Sequence, residues 1–590
     1  MPLHRLTHIL AVTSILLAPA CAQDVHLKVI AINDFHGNLQ SPGNFRSEYK
    51  SPSVPAGGID YLAGYVAQLK QQNPVNVVVS AGDLTGASPL VSALFHDEDT
   101  IETMNRLGLE INAVGNHEFD KGPQELLRKQ HGGGSSQDAN TCQGALTGTP
   151  VPFEGAHFQY LAANVYDTKS GKTIFPPYAI KTYDGIRVAF IGLTLQDTPS
   201  IVTASGVAGL RFTAEAGTVN TIVRDLRKQG IEAFVVLIHE GGQQTTRGAP
   251  DINACAGDLK GSPMEPFVAQ LDDAVDVVIS AHTHQPYVCQ LPNSVGRKIS
   301  VSSASSYGRV LTSIDLTLDR KSKDVTNVVT RNILVDRTNP AITPDPAIAH
   351  IVELYIALAA PIVNRVVGSI ASEITRIASP AGEDAMGDLI ADAQLEATHS
   401  PATGAAVAAF MNEGGIRTGL PFVSRTPGIP DGKVTYGQLF TAQPFANDLV
   451  IMTLTGDQLR ILLEEQFKGC ALGVPGEDNE VPTSTRLLDV SEGFSYTLNS
   501  SAPPCSKVVP GSIKIHGIPL KPAATYRITV NSLLAGGGAQ FYILKHGTDR
   551  RVGPQDLEAM IAYFAKHPAV APLPLDRIQL EPTPAPAMQR

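Results

Sequence analysis

Asn116, His117 and Asp120 form a compact group of polar side chains directly after the apolar run 111–114. Groups of this kind occur where a strand ends and a loop begins, so that their side chains converge on a ligand. An alternative is a helix start, with Asn116 as the N-cap and Glu118 and Asp120 in the first turn. The group alone does not decide between the two.

Four further apolar runs, at 27–32, 75–80, 234–238 and 275–280, end in the same way. Imidazole, carboxylate and amide oxygen suit borderline and hard divalent ions. Seven candidate ligands exceed one tetrahedral site, so two ions that share a carboxylate are the economical interpretation. Such a pair, roughly 4 Å apart, clamps a phosphoryl group and acidifies a bound water. The candidate metal ligands are Asp34, His36, Asp83, Asn116, His239, His282 and His284.

Each histidine also has a structural explanation. His239, taken alone, fits a buried histidine at a strand end, and His282 and His284 alternate along one segment and so share a face. Chance convergence of four or five such strand ends is much less expected than a chance occurrence of any one of them. The set therefore favours the metal site.

Helical patterns at 61–70 and 88–107 lie between several of these runs, while the run 188–193 ends in no ligand type and is predicted to be a plain core strand. Alternating strands and helices predict an α/β layered domain.

The chain has 590 residues and a net charge of -11. That length predicts two domains. The negative charge argues against a general nucleic-acid binder, which carries a basic face. An anionic substrate would therefore need a local positive centre, such as bound metal.

Residues 1–22 are predicted to be a signal peptide, because Arg5 is followed by the apolar run 9–17 and by a zone of small residues. Cys21 as a lipidated N-terminus is the weaker interpretation. The sequence shows neither a later membrane span nor a glycolipid-anchor signal. A periplasmic or secreted protein is expected.

Six cysteines fit an oxidising compartment. We hypothesise the pairs Cys255–Cys289 and Cys470–Cys505, each within one predicted domain. Cys142 is then unpaired or joined to a retained Cys21. Connectivity cannot be deduced from sequence.

The predicted domains are 23–342 and 365–570, joined by a linker helix at 343–364 and followed by a tail at 571–590. In the second domain, Asn412, Gly414, Gly415 and Arg417 follow an apolar strand. Glycines there let the backbone approach a ligand, and Arg417 can hold a phosphate with two hydrogen bonds. A glycine-rich turn with a solvated arginine is the alternative.

Five motifs occur in a specific order: Asn-Asp-Phe-His-Gly, Gly-Asp, Gly-Asn-His-Glu-Phe-Asp, His-Glu-Gly-Gly and Ala-His-Thr-His. In this order the chain resembles the calcineurin-like metallophosphoesterases and, more closely, the exported 5′-nucleotidase / UDP-sugar hydrolase family. The resemblance implies a four-layer α/β/β/α metallophosphoesterase domain followed by a smaller α+β substrate-binding domain.

The resemblance also implies roles for the metal ligands and their neighbours. Asp83 would bridge the two ions, and the identity of the ions (Zn, Mn, Co or Mg) stays open. His117 and Asp120 would form the catalytic dyad. One ion would be held by Asp34, His36, Asp83 and His284, and the other by Asp83, Asn116, His239 and His282.

Phe445 resembles the family's base-stacking phenylalanine, and Asn447 is a candidate base or ribose contact. The sequence departs from the family at Leu533, where a second stacking phenylalanine is usual, and at Ala539, where a ribose-binding aspartate is usual. An arginine expected before the 387–389 segment is not evident, and Arg376 is the nearest candidate.

These features predict a hydrolase that removes the 5′-phosphate from nucleotides through metal-bound hydroxide, with UDP-sugar hydrolysis as a companion activity. A 2′,3′-cyclic-nucleotide phosphodiesterase/3′-nucleotidase or a broad phosphomonoesterase is an alternative. A nonenzymatic exported ligand-binding protein is the alternative from another class. The expected partner is a small nucleotide or nucleotide sugar rather than a nucleic-acid polymer.

Overall fold

The computed structural model describes residues 24–134, 140–203, 205–245, 250–470, 472, 482 and 484–581. The predicted signal peptide, with Cys21, lies outside the described residues, as do residues 582–590 of the predicted tail.

Two six-stranded mixed sheets form the first half of the chain. The first sheet has the spatial order Val325–Leu334, Val310–Leu318, Val25–Ile32, Asn76–Ser80, Ile111–Ala113 and Gln159–Leu161. The second has the order Pro286–Pro292, Lys298–Ala304, Val275–Ser280, Ala233–His239, Ile186–Thr194 and Tyr178–Tyr183. The strands that lead into the candidate ligands run parallel to one another within each sheet.

The two sheets pack face to face between two layers of helices. In the strand Val25–Ile32, Leu27 and Val29 enter the core between the sheets, whereas Ile30 and Ile32 enter the core that contains the helix Ile59–Gln72. Alternate side chains of a strand point to opposite faces, so one strand serves both cores. The outer face of the second sheet packs on Glu215–Arg227 and Met264–Ala269. The expected α/β/β/α arrangement is confirmed.

The remaining short elements of this half complete the layers. They are the strand pairs Gly43–Phe45 with Val54–Ala56 and Val165–Asp167 with Leu210–Phe212, the α-helices Leu90–Leu94, Glu98–Leu107, Pro123–His131, Gly144–Thr147 and Thr198–Ile201, and the 3₁₀ turns His117–Phe119 and Ala256–Leu259.

The helical pattern at 88–107 forms two helices, Leu90–Leu94 and Glu98–Leu107, with a break between them. His96 and Asp97 adopt left-handed backbone at the break, with φ of 59° and 60°. The break turns the Asp97 carboxylate toward Ser88 and Gly86, whose O–H and N–H donate to it. The loop that carries Asp83 is braced by these contacts.

The helix Pro346–Val363 connects the two halves. Asp345 caps its N-terminus by accepting hydrogen bonds from the N–H groups of Ala347 and Ile348. By length and composition alone this helix could cross a membrane, with a mean hydropathy of 1.8. Its residues Ile351, Tyr355 and Ala359 form a buried cluster with Val91 and Phe95, as expected for a helix that packs inside a folded protein.

The second half of the chain is an α+β unit with two main sheets. The larger sheet has the order Leu488–Val490, Ala408–Asn412, Thr525–Asn531, Asp448–Thr455 and Thr548–Gln555, and the smaller has Ile518–Pro519, Lys514–Ile515, Phe494–Leu498 and Ile578–Leu580. A third pair joins Val366–Ser369 to Lys433–Thr435. The α-helices are Ala385–Thr398, Tyr436–Ala442, Gly456–Glu464, Ser532–Ala535 and Asp556–Lys566, and the 3₁₀ turns are Glu413–Gly415, Gly538–Gln540 and Tyr542–His546.

Part of the predicted tail at 571–590 belongs to the second half of the fold, which corrects the sequence-based description. The strand Ile578–Leu580 pairs in parallel with Phe494–Leu498. Arg577 is 9% exposed and makes two hydrogen bonds to the carboxylate of Asp392. A single basic side chain that meets a distant buried carboxylate leaves no local pattern in the sequence.

The hypothesised disulfides Cys255–Cys289 and Cys470–Cys505 are both present. Cys142 is half-buried and not disulfide-bonded. Its thiol sulfur accepts a hydrogen bond from the N–H of Phe153.

Candidate active site

The predicted ligands follow the carboxyl ends of strands from both sheets and meet at one edge of the first domain. Asp34, His36, Asp83, His282 and His284 all have left-handed backbone, with φ between 48° and 68°. This conformation is uncommon outside glycine and costs on the order of 1–3 kcal/mol at each strained residue. Five such residues in one cluster indicate that the loops are shaped for a ligand.

The first group of potential metal ligands consists of Asp34, His36 and His284. Nε2 of His36 lies 3.1 Å from Nε2 of His284, which in turn lies 3.4 Å from Oδ1 of Asp34. Nδ1 of His36 is 2.8 Å from the carbonyl oxygen of Gly86. Donation to that carbonyl leaves the His36 Nε2 lone pair pointing into the group. A shared cation suits such a cluster of lone pairs.

The second group consists of Asp34, Asp83 and His239. Nε2 of His239 lies 3.0 Å from Oδ2 of Asp83, and its Nδ1 lies 2.9 Å from the carbonyl oxygen of Ala81. The same Asp83 oxygen is 3.6 Å from Nε2 of His36. Asp83 thus contacts a histidine of each group, as the bridging role requires. Asp34 also belongs to both groups, which the sequence did not predict.

Asn116 and His282 border the second group. Oδ1 of Asn116 is buried and has no hydrogen-bond partner. The ring centroid of His282 lies 5.3 Å from that of His239, and its backbone N–H donates to the carboxylate of Asp34. An unsatisfied buried amide oxygen is costly, and a metal ion would satisfy it.

The electrostatics of the cluster favour a bound cation. Burial lowers the pKa of His239, but Asp83 and Asp34 outweigh burial and raise that pKa to about 10. Burial and the neighbouring His239 lower the pKa of His282 to about 3, and burial lowers the pKa of His36 well below its usual value. The carboxylates attract positive charge while two imidazoles stay neutral, and neutral imidazole is the form that binds metal.

These residues fit the divalent metal ions that the sequence predicts. Oxygen and imidazole nitrogen ligands suit Zn, Mn, Co and Mg in different degrees, so the ligand set does not select one of them.

Glu118 holds the ligand loops together, a role that the sequence did not reveal. Its carboxylate accepts hydrogen bonds from the N–H groups of Asp83, Leu84 and Gly115 at 2.7 to 2.9 Å. Burial and the neighbouring Asp83 raise its pKa to about 7. The helix-start alternative placed Glu118 in a first turn, and the residue does lie in a 3₁₀ turn after Asn116. No cap hydrogen bond from the Asn116 side chain accompanies this turn.

His117 and Asp120 form a hydrogen-bonded pair at the entrance to the cluster. Nδ1 of His117 lies 2.9 Å from Oδ2 of Asp120. Burial lowers the pKa of His117, but Asp120 and Asp83 outweigh burial and raise the pKa above its usual value. The imidazole is therefore held in one orientation and favours its protonated form.

The second domain places an aromatic ring and an arginine against this pair. The Phe445 ring stacks on the His117 imidazole with centroids 5.5 Å apart and planes 15° apart. The Arg417 guanidinium lies 5.9 Å from the centroid of the Phe445 ring, and its Nη2 atom is buried without a partner. The positive charge of Arg417 opposes the rise in the pKa of His117 that Asp120 and Asp83 cause.

One cavity of about 880 Å³ joins these parts. Its lining includes residues of both domains that the sequence singled out: Asp83, Asn116, His117, Asp120, His282, His284, Asn412, Gly414, Gly415, Arg417, Phe445 and Asn447. Among the predicted metal ligands, Asp34, His36 and His239 lie behind this lining and are fully buried.

The two asparagines predicted to bind substrate are engaged inside the second domain. Oδ1 of Asn412 accepts a hydrogen bond from Asn531, and Oδ1 of Asn447 accepts one from the Ser532 hydroxyl. Nδ2 of Asn447 lies 3.4 Å from a carboxylate oxygen of Asp556. Their substrate roles stay predictions.

Two families of proteins match successive parts of the chain. Residues 27–286 match the calcineurin-like phosphoesterases, and residues 366–546 match the 5′-nucleotidase C-terminal domain. The chain belongs to the calcineurin-like phosphoesterases that carry a 5′-nucleotidase C-terminal domain. The resemblance inferred from the five motifs is confirmed.

Similar proteins include endonuclease YhcR of Bacillus subtilis, 30% identical over 92% of this chain, and cell wall protein Lmo0130 of Listeria monocytogenes, 28% identical over 93%. The chain spans 40% of the length of the first protein and 68% of the second. A solved 5′-nucleotidase precursor from Thermus thermophilus is 24% identical, with a TM-score of 0.72 over 95% of this chain and 100% of that one. This structural likeness supports the phosphoesterase fold.

Four further residues of this phosphoesterase line the same cavity, and only Arg486 among them was not considered in the sequence analysis. Leu533 and Ala539, the two departures from the family pattern, both line it. Arg376, the nearest candidate for the missing arginine, lines it as well, and so does Arg486. Arg486 gave no signal because a single arginine in a polar stretch resembles any solvated side chain.

Proposed function

We propose that this chain is an exported two-metal hydrolase that removes the 5′-phosphate from nucleotides. One observation carries the proposal: two groups of metal ligands, the His117–Asp120 pair, Arg417 and Phe445 meet around one cavity. The cavity thus combines groups suited to phosphoryl chemistry with an aromatic surface suited to a base.

The metal ligands would be those predicted from the sequence, with Asp83 between the two sets and Asp34 in contact with both. Divalent ions there would supply Lewis-acid activation of water and offset the charge of the phosphoryl oxygens.

His117 would act as the proton donor to the leaving oxygen. Its Nδ1 is engaged by Asp120 at 2.9 Å, which leaves Nε2 as the donating atom. The raised pKa favours the protonated ring, which can transfer a proton as negative charge develops. If the His117 ring were neutral, with its proton on Nδ1, the departing alkoxide would have no proton donor.

Arg417 and Phe445 would position the substrate. The unpartnered Nη2 of Arg417 can donate to a phosphate oxygen, and the guanidinium is already close to the dyad. The Phe445 ring offers one face for base stacking, which is worth ~1–3 kcal/mol per base. It stacks on His117 in this structure, so a base would have to share or displace that contact.

A broad phosphomonoesterase or a 2′,3′-cyclic-nucleotide phosphodiesterase/3′-nucleotidase is the second candidate. Leu533 and Ala539 line the cavity, and neither side chain can stack on a base or accept a hydrogen bond from a ribose. Weaker selection for a 5′-nucleoside follows from those two residue types. UDP-sugar hydrolysis is the companion activity proposed for the same metal site.

Export is proposed on two grounds. The first 22 residues have the signal-peptide pattern, and both disulfides join cysteines within the described chain. Disulfides persist in oxidising compartments such as the periplasm and the cell exterior.

Phosphate release from 5′-AMP, 3′-AMP, UDP-glucose, 2′,3′-cyclic AMP, an aryl phosphate and a short oligonucleotide tests the proposal. Each substrate is assayed with added Mn²⁺ or Zn²⁺ and with chelator. Metal-dependent preference for 5′-AMP is expected. Equal rates on the aryl phosphate would favour the broad phosphatase, and cleavage of the oligonucleotide alone would favour a nuclease. No release from any substrate would favour a binding protein.

A further inference from the structure

Three arginines of the described chain line the cavity. Arg417 lies beside the dyad, with its guanidinium 5.9 Å from the centroid of the Phe445 ring that stacks on His117. Arg376 and Arg486 line the same cavity. Nε of Arg376 and Nη1 of Arg486 are buried and have no hydrogen-bond partner.

Arg486 is oriented from the opposite domain. Its Nη2 lies 3.5 Å from Oδ2 of Asp197, which follows the strand Ile186–Thr194 of the first domain. Nε2 of Gln540 donates to the same oxygen at 3.3 Å. One carboxylate oxygen is thus shared by two donors of the second domain. This contact holds the Arg486 guanidinium but leaves its Nη1 without an acceptor.

The two departures from the family pattern bring no hydrogen-bond acceptor for a ribose to the cavity. Leu533 and Ala539 are the residues that replace the family's ring and carboxylate, and they line the same cavity. Arg376, by contrast, already donates to the carbonyl oxygen of Glu413 at 3.3 Å and lies 4.0 Å from a carboxylate oxygen of Asp384. The buried N–H of Arg486 is the stronger reason to expect an anionic ligand, because an unpaired donor of a charged group is costly.

We propose that Arg486 is a specificity-determining residue that binds a second phosphate group of the substrate, one that is not being hydrolysed. Asp197 is its positioning residue. The substrate class is therefore a nucleotide with two phosphate groups, either on one position as a diphosphate or on two positions as a bisphosphate. This inference rests on the proposed function, since it assigns a substrate class to the same site.

The test compares 5′-AMP with ADP and with adenosine 3′,5′-bisphosphate in the metal-loaded full chain. The variants are Arg486→Gln, Arg486→Lys and Asp197→Ala. Arg460→Gln is the matched control, because Arg460 is an exposed arginine of the same domain that pairs with Asp457 and is not part of the cavity lining.

Arg486→Gln is expected to raise KM about tenfold or more for one or both two-phosphate substrates, the size expected for a lost charge-assisted hydrogen bond. KM for 5′-AMP should change less than about twofold on the same grounds, since no second phosphate is present. Arg486→Lys should restore part of the loss, because lysine keeps the charge but not the two-pronged donor. Which two-phosphate substrate responds identifies the position of the second group.

An equal rise in KM for 5′-AMP and the two-phosphate substrates would overturn the proposal, and so would an unchanged KM for all of them. Equilibrium binding of α,β-methylene ADP, which is not hydrolysed, separates this inference from the proposed function. If the wild type releases no phosphate but binds this analogue more tightly than Arg486→Gln does, the proposed hydrolysis fails and the role of Arg486 stands. If the wild type and Arg486→Gln bind this analogue equally or not at all, and also bind adenosine 3′,5′-bisphosphate equally or not at all, the role of Arg486 is refuted.

Discussion

Replacing Arg577 with glutamine should destabilise the second domain strongly. The guanidinium makes hydrogen bonds of 2.8 and 2.9 Å to the two oxygens of Asp392 and one of 2.7 Å to the carbonyl oxygen of Val490. Its side chain is 10% exposed and that of Asp392 is 7% exposed. Burial and the neighbouring Glu383 raise the pKa of Asp388, also in contact with Arg577, to about 9 even though Arg577 opposes this.

The expected cost follows from that burial. Removing one partner of a buried, hydrogen-bonded pair leaves an uncompensated charge and costs ~3–5 kcal/mol. A change of 1 kcal/mol shifts the melting temperature of a domain of this size by roughly 2–4 °C. The second domain should therefore melt on the order of 10 °C lower in Arg577→Gln.

Thermal unfolding measures the loss of stability. Hydrogen exchange in the strand Phe494–Leu498 is measured as well, because a two-domain chain need not unfold in one step and this strand reports on the second domain. Arg460→Gln is the control: Arg460 is 41% exposed and its partner Asp457 is 57% exposed, so less than ~1 kcal/mol should be lost. Deleting residues 582–590 serves as a second control, since it leaves Arg577 and the strand Ile578–Leu580 intact. Equal melting temperatures for Arg577→Gln and Arg460→Gln would refute the reasoning.

Three further changes have defined outcomes. His117→Asn should retain its metal and lose roughly 10²–10⁴ in kcat, the contribution of a general acid; steady-state kinetics at wild-type rates would contradict this role. Asp83→Ala should lose both ions in elemental analysis, because its carboxylate contacts histidines of both groups, whereas Asp184→Ala, at an exposed surface pair, should keep them. Burial raises the pKa of Glu465 from 4.5 to about 8, so the folded state keeps a proton that the unfolded state releases, and stability should fall as pH rises between those values. Glu465→Gln should flatten this fall, measured as melting temperatures at pH 5 and pH 8.5; an unchanged pH profile would show that the carboxyl is not the cause.

The ligand-bearing strand ends could be predicted from sequence because their signal is local. Each is an apolar run followed within a few residues by a histidine, carboxylate or amide, as in Ala233–His239 and Val275–Ser280 with His282. Parallel strands bring such ends to one edge of a sheet. The layered fold follows from the same alternation of strands and helices.

The features that sequence reasoning missed depend on contacts between distant residues. Glu118 accepts hydrogen bonds from the N–H groups of Asp83 and Leu84, 35 and 34 positions away. Arg486 contacts Asp197 across 289 positions. The break at Asp97 is set by Ser88 and Lys129, which lie in other segments. None of these contacts changes the hydrophobic periodicity of the chain, so a pattern of apolar residues cannot reveal them.

The candidate metal site combines strained backbone with crowded carboxylates. Both features cost free energy of folding, and both have the same explanation. Left-handed backbone at Asp34, Asp83 and His282 turns their side chains toward one point, although such positions cost free energy. Glu118 holds the loops in that conformation through three backbone hydrogen bonds. The high pKa of His239 shows that the assembled carboxylates draw in positive charge. The fold thus keeps strained loops and crowded carboxylates beside the dyad and an arginine of the other domain. This arrangement lowers the stability of the fold but suits cation binding and phosphoryl chemistry.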